Sequence, residues 1–374
     1  MQFSQLIGQQ KAKDSFFKSM KEGRLPHALI LVGPEGIGKL GFATAIAQYL
    51  NCLNPAERDS CGKCSSCTKI QKGIHPDVRY VLPILSKKEG DKPAITDDFF
   101  ERFRGPFFSN PYYSMKDWMV ALDGENKQLG IHIGEIRDLK RKLSLKAFEA
   151  KYKISIMWNA ERINHEASNA FLKLLEEPPD RTILILTVSD PTKLLTTINS
   201  RCQRLIMSRV SEDDIFHWLK DERNITEDQA RQIAEISEGS VSYALELTGE
   251  TEKSLSILFF SWIKHCLSWD YESIQQVIKE VTSEGRDFQK LFMAFGLKKF
   301  RDTTLAGTGS SMVAGRQSSD PVFGTLSRQM SLKNSEKVSR LMEESVNYLS
   351  RNANAQLVFT ALSIRLASVL TGKD

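Results

Sequence analysis

Gly33-Pro34-Glu35-Gly36-Ile37-Gly38-Lys39 matches the pattern G-x-x-x-x-G-K and lies between a predicted strand, Ala28-Leu29-Ile30-Leu31-Val32, and a predicted helix from Lys39 to Leu50. Glycines at these places let the backbone curl until its N–H groups face phosphate oxygens. The helix N-terminus adds a favourable dipole, and the lysine reaches the outer phosphates. Gly33, Gly36, Gly38 and Lys39 are therefore the candidate nucleotide-binding residues. The pattern ordinarily continues with Ser or Thr, whose hydroxyl ligates Mg²⁺. Here the next residue is Leu40, which has no oxygen to offer. A second metal-holding element, an acidic pair at the end of a strand, belongs near residue 158, but Trp158 and Asn159 stand in those positions in Ile154-Ser155-Ile156-Met157-Trp158-Asn159-Ala160-Glu161. Glu161 is displaced from them and reads as a surface residue at a helix start. A nucleotide in this loop would be held without its metal ion.

Four of the six cysteines form a second cluster, Cys52, Cys61, Cys64 and Cys67, with two C-x-x-C spacings. The N-terminal residues Met1-Gln2-Phe3-Ser4-Gln5 lack the basic and apolar regions of a signal peptide, so a cytoplasmic chain is expected, in which disulfides are disfavoured. Paired C-x-x-C spacings then point to metal. Four thiolates make a closed tetrahedral zinc site with no open position, structural rather than catalytic. An iron–sulfur cluster could use the same ligands. Cys202 and Cys266 read as small buried residues, and His75 as the mark of a turn into the next strand.

These groups need elements to position them. Strands are expected at 28–32, 77–82, 153–158 and 182–189, alternating with helices at 39–50, 134–148 (apolar at Ile136, Leu139, Leu143 and Leu145) and 164–177, the last stopped by Pro178-Pro179. That rhythm implies a parallel sheet flanked by helices. After residue 210 the strand signal ends. Ser211-Glu212-Asp213-Asp214 resembles a helix start, and Thr226 with Gln229 fits a capping box. The expected organisation is an α/β nucleotide-binding domain over 1–210 with a cysteine module at 52–67, a small helical lid over 211–249, and an all-helical domain over 250–374 interrupted by a flexible Gly/Ser/Thr-rich loop at 305–319. The segment 85–130 breaks the rhythm. Its many aromatics, among them Phe103, Phe107, Tyr112, Tyr113 and Trp118, argue for an insertion that packs on the domain surface. The net charge of +5 is compatible with work near DNA without demanding it, and no apolar run is long enough to span a bilayer.

Taken together, Ile7-Gly8-Gln9, Pro26-His27-Ala28, the phosphate loop, the four cysteines, His75-Pro76-Asp77, Leu172-Lys173-Leu174-Leu175-Glu176-Glu177-Pro178-Pro179, Ser200-Arg201-Cys202 and Asn352-Ala353-Asn354-Ala355-Gln356-Leu357 resemble the bacterial DNA polymerase III clamp-loader family, on its delta-prime side. The resemblance covers almost everything outside the insertion and implies an AAA+ domain, a helical lid and a C-terminal helical collar. It favours zinc for the cysteines. It also implies delta and gamma/tau-type subunits as partners, with the sliding clamp and primed DNA reached through the complex. The family's motor subunits carry Thr, an Asp-Glu pair and a phosphate-sensing Arg where this chain has Leu40, Trp158-Asn159 and Ser242. What survives is Arg201, which the resemblance assigns to ATP held by a neighbouring subunit. The expectation is a non-hydrolysing clamp-loader subunit with no ATPase activity of its own. An active motor of the same family and a zinc- and nucleotide-binding adaptor outside replication are the alternatives.

Overall fold

The computed structural model describes residues 1–85, 94–124, 127–223, 225, 227–248, 250–283, 286–307, 322, 324, 326, 332–351 and 353–372. The chain divides into two compact units, Met1–Glu246 and Leu247–Asp374.

In the first unit, β1 (Ala28–Val32), β2 (Val78–Val81), β5 (Lys153–Met157), β6 (Thr182–Val188) and β7 (Gln203–Ile206) form a parallel sheet in the order β2-β5-β6-β1-β7. β3 (Ile84–Leu85) and β4 (Leu129–Gly130) make a separate small antiparallel pair. The central strands are apolar runs rich in β-branched residues and are buried along their length, as a sheet covered on both faces requires. This is the expected parallel sheet flanked by helices, with the phosphate loop between β1 and the helix that begins at Lys39. Register places Val32 of β1 beside Val188 of β6, so the loop after β1 starts level with the end of β6. The open edge at β7 is different, because only Leu205 of its four residues is buried.

Helices α1 (Gln10–Lys21), α2 (Lys39–Leu50), α3 (Ser65–Gln71), α4 (Phe100–Ser109), α5 (Met115–Ala121), α6 (Ile133–Ser144), α7 (His165–Glu176) and α8 (Thr196–Asn199) surround the sheet. Ile136, Leu139 and Leu143 of α6 and Phe171, Leu174 and Leu175 of α7 share one core with Ile30, Leu184 and Leu186. The Asn164 side chain caps α7 by accepting from Ala167 N at 2.8 Å, and Glu177-Pro178-Pro179 ends it. α6 stops before the expected Phe148, and Leu145, expected on its apolar face, is exposed beyond it. The cause is Asp77, whose buried carboxylate accepts from the backbone N–H groups of Phe148, Glu149 and Ala150 at 2.7–2.9 Å. His75 Nδ1 in turn accepts from Asp77 N at 3.1 Å, so His75-Pro76-Asp77 is a structural clamp on the entry to β2.

Three helices follow the sheet, α9 (Glu212–Arg223), α10 (Glu227–Ile236) and α11 (Val241–Leu247), in the region expected to form a lid, and Ser211 Oγ accepts from Asp214 N at the expected start. Thr226 of the anticipated capping box lies outside the described residues, as do Gly249 and residues 308–319 of the anticipated loop, while 305–307 end a helix.

The second unit contains α12 (Glu250–Ser268), α13 (Tyr271–Ser283), α14 (Arg286–Gly307), α15 (Leu332–Ser350) and α16 (Ala355–Thr371). Its core includes Phe259, Trp262, Phe292, Phe295 and Phe359, with Trp262 Nε1 donating to Ser363 Oγ at 2.8 Å. On α16, Leu362, Leu366 and Leu370 are buried toward this core. The outward stripe is Leu357, Ala361 and Ile364. Among the described residues, no helix is long and apolar enough to cross a membrane.

Asp77→Ala is expected to destabilise the protein by about 2–4 kcal/mol, because three partly buried N–H donors lose their acceptor. Urea unfolding followed by tryptophan fluorescence checks this.

Candidate functional site

The phosphate loop leaves β1 under close constraint. Gly33 N donates to Val188 O at 3.1 Å, and a Cβ on Gly33 would lie 2.3 Å from Met207 O. Gly36 and Gly38 have φ of +78° and +85°, in the left-handed region that glycine tolerates. Lys39, the first residue of α2, folds back onto its own loop. Its Nζ donates to Gly33 O at 2.8 Å, to Pro34 O at 2.6 Å and to Ser189 Oγ at 3.0 Å. An ammonium has three N–H donors, and all three are engaged. Burial lowers the lysine pKa to about 8, with the negative charges of Glu161 and Glu35 working against the fall.

Leu40, Trp158 and Asn159 line the cavity beside Lys39, and none of them carries a carboxylate or hydroxyl oxygen. Leu40 is buried, and the Trp158 ring packs 5.8 Å from that of Phe103 and 6.2 Å from that of Tyr113. Asn159 sits at φ +47°, its backbone N donating to Thr187 Oγ1 at 3.0 Å. Glu161 corrects the sequence expectation. It is half-buried rather than a surface residue, and its Oε1 accepts from Ser189 N at 2.9 Å, next to the hydroxyl that Lys39 holds. Its Oε2 is buried with no hydrogen-bond partner among the described residues. The short helical turn from Ala160 to Arg162 swings the side chain back under the end of β6.

Above the loop lies the insertion. Phe103, Phe107 and Trp118 anchor it, all fully buried, with Trp118 Nε1 donating to Pro83 O at 2.7 Å. The turn between α4 and α5 carries Pro111 and Tyr112 over the phosphate loop, and a Cβ on Gly38 would lie 2.8 Å from Tyr112 Cε1. The lid approaches from another side. Ser242 N donates to Gly36 O at 3.1 Å, its hydroxyl donates to Tyr112 O, and a Cβ on Gly36 would lie 1.9 Å from Ser240 Oγ. The cavity left between Gly36, Gly38, Lys39, Tyr112 and Ser242 measures about 50 Å³. Tyr112 was recognised in the sequence only as one of many aromatics. Nothing local marks it, since its partners Gly38 and Ser242 lie far from it along the chain.

The four cysteines come together as their spacing suggests. Their sulfur atoms lie within 4.8 Å of one another, with Cys61 and Cys67 at 3.9 Å. A tetrahedron of thiolates with metal–sulfur bonds of about 2.3 Å has edges of about 3.8 Å, so the donor set fits a metal ion. Cys61 N donates to Cys52 Sγ, Cys64 N to Cys61 Sγ and Cys67 N to Cys64 Sγ, at 3.2–3.4 Å. Backbone N–H groups of Lys63 and Cys64 bring the Cys61 thiol down to about 6, while burial pushes Cys67 up. The module is sewn to the N-terminus, with Asp59 accepting from Phe3 N and Ser4 N at 3.0 Å and Gln2 donating to Ser60 O at 2.7 Å.

Arg201 engages a different set of residues. It follows α8, donates from Nη1 to Thr197 O at 3.0 Å, and pairs through Nη2 with Glu176 Oε1 at 2.7 Å, with 38% of its side chain exposed. Cys202 beside it is buried, and burial raises its thiol to about 11, so it is inert.

The family model described as DNA polymerase III, delta subunit, matches residues 8–211. The gamma subunit of DNA polymerase III from Buchnera aphidicola subsp. Acyrthosiphon pisum is 26% identical over 250 residues, covering 66% of this chain and 57% of that protein. The delta' subunit from Pseudomonas aeruginosa is 30% identical over 227 residues, covering 60% and 56%. The chain thus spans about half the length of these curated relatives. Among solved structures, a gamma subunit-related protein from Thermotoga maritima is 14% identical with a TM-score of 0.45, covering 95% of this chain and 99% of that one.

Gly33→Ala is expected to lower the melting temperature by several degrees and to disturb the loop, because the clash is with a backbone carbonyl that cannot rotate away. Differential scanning calorimetry of the variant checks this.

Proposed function

The chain belongs to the DNA polymerase III delta subunit family, and from that premise we propose that it is a non-hydrolysing subunit of a cytoplasmic clamp loader that contributes Arg201 to the ATP site of a neighbour. One observation carries the first half of the proposal. The positions that should present oxygen to Mg²⁺ are filled by Leu40 and Trp158, both buried in apolar surroundings, while the lysine meant for phosphate is bonded to Gly33, Pro34 and Ser189. Without metal, the developing charge on a transferred phosphoryl group goes unneutralised and hydrolysis has no driving arrangement.

Arg201 supplies the second half. Its planar fork suits phosphate oxygens and stays charged. The pair with Glu176 is a partly exposed ion pair, worth at most about 1 kcal/mol, so it orients the guanidinium outward and yields when a phosphate arrives. The finger completes the neighbour's site only when the two subunits are docked, which couples ring geometry to hydrolysis. The proposed partners are delta and gamma/tau-type subunits, with the sliding clamp and primed DNA engaged through the assembled loader. The proposed domains are those read from the sequence, with the helical region from 250 onward joining the collar through the Leu357, Ala361 and Ile364 stripe.

The cysteine module holds a structural zinc ion in this proposal, through Cys52, Cys61, Cys64 and Cys67. Structural zinc contributes about 10–16 kcal/mol of apparent binding free energy in small peptides, enough to order a segment that has little core of its own. Metal analysis of the purified chain is expected to return one zinc per molecule. Cys64→Ser is expected to release it and to lower the melting temperature. Protein without zinc or any other metal would refute the assignment.

For the function itself, the loader is reconstituted with wild-type, Arg201→Ala or Arg201→Lys subunit, and its DNA- and clamp-stimulated ATPase is measured. Arg201→Ala is expected to leave folding and assembly intact. It should slow the site it serves by about 10³-fold or more, so that the complex loses that site's share of turnover. Lysine should restore little, since a point charge does not bridge two oxygens. Equal rates for wild type and Arg201→Ala would show that Arg201 does not act in trans.

A further inference from the structure

We propose that Tyr112 is a built-in surrogate for nucleotide, filling the space over the phosphate loop and joining the loop, the N-terminal segment and the lid as a bound ligand would.

The argument begins with position. A phosphate bound by the glycine-rich loop would sit against the N–H groups of Gly36 and Gly38 at the start of α2. The ring of Tyr112 lies against Gly38 at that end of the helix, close enough that a methyl group on Gly38 would meet it at 2.8 Å. The residue is almost completely buried. The remaining cavity of about 50 Å³ has room for a few water molecules, whereas pockets for drug-sized ligands run from about 300 Å³ upward. Lys39 has correspondingly turned to its own loop.

The second part is connectivity. Besides the phosphate loop, Tyr112 touches three separate segments of the first unit. Its hydroxyl accepts from Ile7 N at 2.7 Å in the N-terminal segment, and its ring meets that of Trp218 in α9 edge-on at 6.0 Å between centroids. Its carbonyl accepts from the hydroxyl of Ser242 at the start of α11. A single residue therefore bridges the α/β core and two lid helices.

The third part is rigidity. Asn110 Oδ1 accepts from Tyr112 N at 3.0 Å, Pro111 restricts the preceding backbone, and Ser114 with Asp117 caps α5 immediately after. On either side the turn is held by Phe107 and Trp118, both fully buried. A wedge fixed at both ends pays little further entropy to occupy the cavity, and unlike a diffusible ligand it never leaves.

This inference deepens the reading of the chain as a non-hydrolysing subunit and rests on it for its purpose. The lid of such a subunit keeps one setting through the whole ATP cycle of its neighbours.

The test uses the full-length chain, with ADP titrated by calorimetry in the absence of Mg²⁺ and backbone hydrogen exchange followed across 212–247. For wild type, no saturable ADP binding is expected, and millimolar ADP should leave lid exchange and melting temperature unchanged. Tyr112→Ala is expected to speed lid exchange by about tenfold or more, to bind ADP, and to recover protection when ADP is added. Tyr112→Phe keeps the ring and should behave as wild type toward ADP. Saturable ADP binding by the wild type would overturn the proposal even if Tyr112→Ala fails to fold. So would a Tyr112→Ala protein whose lid is loosened but which takes up no ADP, since Tyr112 would then be a packing residue only. These measurements need no partner subunit. A chain that passes them while Arg201→Ala leaves loader turnover unchanged would retain the surrogate and lose the trans-acting arginine.

Discussion

A buried ammonium must be surrounded by oxygen, and in the first unit that demand falls on Lys39. Removing such a charge from water costs several kcal/mol unless hydrogen bonds replace the solvent. The replacements come from three places at once. Gly33 and Pro34 turn their carbonyls inward because the loop curls, and Ser189 is within reach because β6 ends in register with β1. Glu161 supplies the opposing charge while anchoring Ser189 through its backbone. Sheet register, loop conformation and the turn after β5 are thus tied to one nitrogen. A disturbance in any of them leaves a charge without solvation.

The same cradle explains why the site can be internally complete. The loop closes on the lid through Gly36 and Ser242, and on the insertion through Gly38 and Tyr112. Ile7, which Tyr112 holds, follows the segment sewn to the cysteine module by Asp59 and Gln2. A metal ion in that module would therefore steady the N-terminal segment that Tyr112 holds through Ile7. On the proposed reading, order propagates from zinc to the N-terminal segment, then to Tyr112 and the lid, without any diffusible nucleotide.

Much of this was legible in the residues. The apolar runs of β1, β5 and β6 dictated a buried parallel sheet, Asn164 and Pro178 bracketed α7, and the cysteine spacing foretold the sulfur cluster. These signals are local, and local physics is strong there. What escaped notice depends on distant partners. Asp77 shortened α6 by drawing Phe148, Glu149 and Ala150 to itself, which no helical periodicity at 134–148 could announce. Glu161 was misjudged because a turn after β5, rather than spacing, sets its direction. Tyr112 was hidden for the plainest reason, a long-range contact made by a residue type common in its neighbourhood.

The packing around Trp158 bears on what substitution could add to this site. Installing the metal-holding oxygens by substitution would require Thr at 40 and acids at 158 and 159. Yet Trp158 now supports Phe103 and Tyr113, and an aspartate there would be a buried charge amid aromatic rings. A threonine at 40 would place its hydroxyl where Leu40 is buried. Each of these substitutions taken singly is expected to destabilise the fold. The aromatic packing of the insertion therefore opposes a metal site assembled one substitution at a time, because each first step is expected to cost stability.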